Sequence, residues 1–157
     1  MKTMQTLVVS AALAIAMAAP TSAAQSDPEI IVYRVPGVRD TGIPALMGTA
    51  TVFHCTNFSG ATENIRFVTR RPDGGLASNN VVAAPHLSTR TAGTHEVLSY
   101  TLDLDLATGA ITQGTTAIAA TSINVICTAE TIDASTAAPV GVAKRSIRFS
   151  PVPGSQE

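Results

Sequence analysis

Tryptophan is missing from this 157-residue chain, and aromatics of any kind make up only 4% of it. Carbohydrate-binding faces and single-strand nucleic-acid platforms stack their ligands on exposed rings, so both classes are disfavoured. Charge is also scarce, at 13% of residues. After Ala24 there are nine Lys or Arg and eleven Asp or Glu, a net charge of about −2 with no long run of one sign. That excludes nucleic acid as the expected partner and gives no basis for binding an anionic membrane. No apolar run beyond the N-terminus is long enough to span a bilayer, so no membrane span is expected in the mature chain.

Only two cysteines are present, Cys55 and Cys127. There is no Cys-x-x-Cys pair, so the usual layout of a thioredoxin-like redox site is missing. A cupredoxin-type copper site would need a His after the second cysteine, and none follows Cys127. No Gly-x-Ser-x-Gly elbow accompanies His95, Glu96 and Ser99, although these superficially suggest triad residues. Asp103 and Asp105 lack the further oxygen ligands and the glycine of a calcium loop, because Ala107 and Thr108 stand there. No catalytic residue, metal ligand or cofactor is therefore assigned from the sequence.

The chain opens Met1-Lys2-Thr3, continues through an apolar stretch of about 13 residues from Leu7 to Ala19, and reaches Thr21-Ser22-Ala23-Ala24. One positive charge, a short apolar core and a small-residue cleavage site describe a secretory signal peptide. The stretch is shorter than the ~20 residues of a spanning helix. Cleavage near Ala24 predicts export to the periplasm or beyond, leaving one domain over 25–157. In that compartment a minimal, even cysteine count suggests a Cys55–Cys127 disulfide. Two buried free thiols, or a redox role, are the alternatives.

The mature segment is rich in Thr, Val, Ala and Ser and divided by Gly and Pro turns. Strands are predicted at 30–35, 47–58, 63–70, 81–84, 87–91, 96–106, 113–120, 123–132 and 142–149. Pro36-Gly37 reads as a stop, and Val38 to Pro44 as loop. In 63–70, Ile65 and Phe67 face one way and Asn64, Arg66 and Arg70 the other. The clearest alternation is Glu96 to Leu106, with Leu98, Tyr100, Leu102, Leu104 and Leu106 on one face. Val97, Ser99, Thr101, Asp103 and Asp105 would then form its wet face. Pro151 to Gly154 reads as the start of a polar tail. Seven to nine short strands without a convincing helix predict an antiparallel β-sandwich of immunoglobulin-like architecture. Both cysteines fall mid-strand on apolar faces, the arrangement of an inter-sheet staple.

Arg66, Arg70 and Arg71 cluster at one strand end and its turn. Guanidinium groups so placed form a candidate anion or partner patch, against the commoner role of a solvated face. Arg145 and Arg148 lie on the last strand. Asn57-Phe58-Ser59 matches a glycan acceptor by chance.

The segments Phe53-His54-Cys55-Thr56-Asn57, Ile126-Cys127-Thr128-Ala129 and Ile147-Arg148-Phe149-Ser150-Pro151-Val152-Pro153-Gly154 resemble those of small exported proteobacterial proteins of unknown function. The likeness runs from about Gly48 to Gly154. It implies a secreted or periplasmic β-domain and transfers no functional residue. The expected function is a non-enzymatic exported binding or surface-associated module with an unidentified protein or surface partner. A small periplasmic inhibitor of a hydrolase is the alternative, and an enzyme with an unrecognised site a further one.

Overall fold

The computed structural model describes residues 28–42, 47–97 and 100–134, together with the backbone of 143–147 and 151–155. The predicted signal peptide lies outside the described residues. The described residues form ten strands: β1 (Ile30–Asp40), β2 (Thr49–Asn57), β3 (Glu63–Arg70), β4 (Leu76–Ala84), β5 (Thr89–Gly93), β6 (Leu104–Asp105), β7 (Ile111–Ala120), β8 (Val125–Asp133), β9 (Ala143–Ile147) and β10 (Pro151–Ser155). The all-β class holds.

The strands make one continuous sheet in the order β4-β3-β7-β1-β2-β5-β6, with β10 added to β1, β8 to β2 and β9 to β8. The arms β4-β3-β7-β1-β10 and β9-β8-β2-β5-β6 meet where Asp40 of β1 pairs with Ala50 of β2. At the far ends, Arg90 Nε donates to the Ala83 carbonyl (2.7 Å) and Asn80 Nδ2 to the Asp105 carbonyl (3.3 Å). Side-chain bonds thus bring β4 close to β5 and β6, and the sheet is barrel-like. The sheet is also mixed, because β5 and β6 run parallel.

Alternation fills the interior. Ile65 and Phe67 of β3, Phe53 and Cys55 of β2, Val35 and Val38 of β1, Ile118 of β7 and Val125 and Cys127 of β8 share one core. The Phe53 and Phe67 rings pack tilted, with centroids 5.6 Å apart. Burying a side chain of this size stabilises by about 1.5–3 kcal/mol. Within this core Cys55 and Cys127 form a disulfide. The cysteines are in direct register on adjacent antiparallel strands, with Cα atoms 4.1 Å apart. The staple therefore lies within one layer and does not cross between two. It follows from geometry: both residues face inward at the same level of the β2–β8 ladder.

Three expectations fail for local reasons. Pro36-Gly37 does not end β1. The strand shifts register between Pro36 and Val38, and Gly37 takes φ +78°. The pair makes a bulge, which admits a residue without an N–H and one with positive φ, and the strand continues to Asp40. Pro151 to Ser155 is not a tail but pairs with β1. Its prolines are tolerated because the strand lies at an edge.

The third failure concerns the strongest alternation in the chain. Of the predicted strand 96–106, only Leu104–Asp105 is strand among the described residues. Parallel neighbours β5 and β6 need a crossover, and 94–103 supplies it. Val97, Tyr100 and Leu102 pack on Ala50 and Val52 of β2, Ile132 of β8 and Ala134 just beyond it. Val97, expected on a wet face, is only 7% exposed. The outer face of β2 is apolar at Ala50 and Val52, so covering it outweighs extending a strand into water.

Candidate functional site

The three arginines each have their own partners within the chain. Arg66 Nε and Nη2 grip the Glu29 carboxylate (2.5 and 3.1 Å), and Nη1 reaches Asn79 (3.1 Å). The bond to Glu29 raises the Arg66 pKa, partial burial opposes this, and the charge of Glu29 adds to the rise. Arg70 donates to the Gly74 carbonyl, and Arg71 to those of Leu76 and Thr108. The last two brace the β3–β4 turn. Arg145 contributes only backbone to the described structure, and Arg148 lies outside the described residues.

His95 is buried, 7% exposed, on the segment leaving β5. Its Nδ1 lies 2.7 Å from Asp40 Oδ1. The other carboxylate oxygen accepts a bond from Thr108 (2.8 Å). The hydrogen bond to Asp40 is the main cause that raises the His95 pKa above its ordinary value; burial opposes it, and the charge of Asp40, the Met47 carbonyl and the charge of Asp105 add to it. The Met47 carbonyl favours the protonated ring without meeting hydrogen-bond geometry, and Nε2 stays unpartnered. Gly42 makes this packing achievable: a Cβ there would stand 1.8 Å from the Met47 oxygen and 2.7 Å from His95 Nε2. The trio ties the end of β1 to both ends of the β5–β6 crossover. Ser99, the neighbour considered with His95, lies outside the described residues.

His54 points away from Cys55, as alternation requires. Its Nδ1 lies 3.1 Å from Thr91 Oγ1 on β5, and its Nε2 lies 3.6 Å from Glu130 Oε1 on β8. Tyr100 donates to the same carboxylate oxygen and sets its ring edge-on to the imidazole, centroids 4.8 Å apart. The bond to Glu130 raises the Tyr100 pKa, with burial and the carboxylate charge adding to it. His86 is exposed and accepts the Gly60 N–H (3.0 Å).

Asp103 bonds Arg90 Nη1 and the Thr91 N–H (both 2.8 Å), while Asp105 caps the Ala107 N–H (2.8 Å). Asp103 thus ties the crossover to β5, while Asp105 serves the turn that follows it. Among the described residues no group of three or more His, Cys, Asp or Glu is placed to hold a metal ion. Asn57 is fully buried and cannot accept a glycan there: its amide donates to the Ala61 and Ala84 carbonyls (2.7 and 2.8 Å).

That buried asparagine organises one end of the sheet. The Leu87 N–H donates to the Asn57 carbonyl (2.8 Å), the Asn57 N–H to Ser88 O (3.1 Å), and the Phe58 N–H to Asn124 O (2.9 Å). Three connections, after β2, between β4 and β5 and between β7 and β8, are thereby clamped together. Each carries an exposed apolar residue: Phe58 (48% exposed), Leu87 (66%) and Ile123 (72%). Leu87 holds φ +59°, a left-handed conformation that costs a branched residue about 1–2 kcal/mol. Neither Phe58, Leu87 and Ile123 nor the His54 cluster was assigned a role from the sequence. Single exposed apolar residues carry no signal until the fold groups them.

No protein-family model and no curated protein matches the chain. A solved Thermotoga maritima structure ("Crystal Structure of Thermotoga maritima 1070") is similar at 13% identity and a TM-score of 0.46, covering 82% of this chain and 95% of its own.

Proposed function

We propose that the protein is an exported, non-enzymatic binding module that engages a protein partner through the apolar end formed by Phe58, Leu87 and Ile123. The observation that carries this reading is the clamping of three loops by backbone bonds so that each presents an exposed apolar side chain. Isolated apolar residues on a surface are ordinary, whereas a grouped set on rigid loops marks an interaction site. The strained backbone at Leu87 supports it, because a leucine kept exposed in a left-handed turn gains nothing from packing. Burial of His95 against Asp40 supports the non-enzymatic part. The disulfide is consistent with export. In this reading the two arms, which share one core, act as the layers of a β-sandwich scaffold.

The test is capture from an extract of the exported compartment, by the wild type and by a Leu87→Ser/Ile123→Ser variant of unchanged melting temperature. A protein retained by the first and lost by the second supports the reading; equal retention refutes the site. A hydrolase captured and blocked by the wild type would identify the module as an inhibitor. Turnover in a hydrolase screen, abolished by His95→Ala, would overturn the non-enzymatic reading.

A further inference from the structure

Among the described residues four strands pair along one side only: β4, β6, β9 and β10. An open strand edge is a row of backbone donors and acceptors that recruits another strand, and proteins blunt such edges with shortness, charge or proline. Three of the four are blunted in these ways. β6 has two residues, β9 carries Lys144 and Arg145, and β10 carries Pro151 and Pro153. β4 is nine residues long and reads Leu76-Ala77-Ser78-Asn79-Asn80-Val81-Val82-Ala83-Ala84, with no charge and no proline.

The open edge of β4 is defined residue by residue. From Ser78 to Ala84 the strand keeps unbroken antiparallel register with Thr69 to Glu63 of β3. On its other side Arg90 Nε caps the Ala83 carbonyl (2.7 Å). That carbonyl therefore faces the open edge, and Val81 and Asn79, of the same parity, turn their N–H and C=O groups to it as well. Among the described residues these groups have no backbone partner there. Asn80 reaches the Asp105 carbonyl (3.3 Å) with its side chain and uses no backbone group of β4. Val81 is 44% exposed beside this edge.

We propose that β4 pairs antiparallel with β4 of a second copy of this chain, about a two-fold axis at Asn80, so that one sheet runs through a dimer. In this register the backbone of Asn79 exchanges both hydrogen bonds with the partner's Val81, and Val81 does the same with the partner's Asn79. A two-fold axis brings each residue near its own copy, so a charged strand would oppose like charges there. β4 carries none. The neighbouring charge on β3, Arg66, stands in register with Val81 and is already paired with Glu29. The edge therefore matches itself. Each β4 uses up the other's free edge, so assembly closes at two chains. The paired stretch is far shorter than the ~20–30 residues a side of a standard interface, so the dimer is reversible and depends on concentration.

The test is sedimentation velocity of the disulfide-intact protein from micromolar to millimolar concentration, with amide exchange measured over the same series. The expected result is a monomer–dimer shift without larger species, and exchange that slows at Asn79 and Val81 as concentration rises. Val81→Pro removes an edge N–H without touching the ladder to β3, and Val81→Lys sets like charges beside the axis. Each raises the dimer dissociation constant at least about tenfold. Gln113→Lys, the same charge at an exposed position of β7, leaves it unchanged, as does Leu87→Ser/Ile123→Ser. A protein that stays monomeric throughout overturns the proposal. So does a dimer that both Val81 variants leave intact, or one that Leu87→Ser/Ile123→Ser abolishes. Should both Val81 variants lower the melting temperature, the wild-type exchange decides: concentration-dependent protection that spares β4 overturns the proposal equally.

Discussion

Cys55 and Cys127 stand directly opposite each other on β2 and β8, with Cα atoms 4.1 Å apart, and their disulfide lies inside a nine-pair antiparallel ladder. The bond therefore reinforces a pairing that the backbone already makes. It also closes a loop with a sequence separation of 72, removing freedom from the unfolded chain more than adding contacts to the folded one.

Replacing both cysteines with alanine should cost about 4 kcal/mol of stability in the chain-entropy model and leave the strand content intact. Guanidinium unfolding followed by circular dichroism measures both. Intact mass should rise by a pair of hydrogens on reduction. Two thiols that titrate in the native oxidised protein would contradict the bond.

Asp40, His95 and Thr108 predict a pH dependence with a definite sign. The folded-state pKa of His95 is raised, chiefly by its bond to Asp40. Its stabilisation is then fully present below the unfolded value of about 6.5 and is lost as pH rises through the folded value. The unfolding free-energy difference between wild type and His95→Gln should shrink as pH increases across that window. A difference that stays flat or grows would contradict the protonated pair.

Val97 separates the crossover from the strand that alternation predicts. On a wet strand face, Val97→Ala would change stability by less than about 0.5 kcal/mol. Packed on Val52 and Ile132, it should cost about 1–3 kcal/mol, while Thr101→Ala, at an exposed position, stays near zero. Thermal or denaturant unfolding of the two variants distinguishes them.

These cases show what the sequence displays and what it hides. β3 was legible residue by residue, because each side chain answers only to the two faces of one strand. The disulfide partners were legible from their count, but not their position within one layer, which depends on which strands pair. Residues 96–106 alternate as a strand would, yet the outer face of β2, about 45 residues away, captures Val97 and Leu102. Asp40 is inward on the parity of Val38, and a carboxylate on a buried face needs a partner. That signal was available, but its partners lie 55 and 68 residues away. The Glu130–Tyr100 contact is likewise long-range. Asn57, Phe58, Leu87 and Ile123 have no local pattern in common and meet only because β2, β5 and β8 end at one level.

The apolar end is the centre of the functional account. Hydrogen–deuterium exchange of the protein with and without its captured partner tests it most directly. The account predicts new protection confined to Asn57–Phe58, His86–Ser88 and Ile123–Asn124. Protection instead over Arg66, Arg70 and the outer face of β3, with the loop ends unchanged, would contradict it.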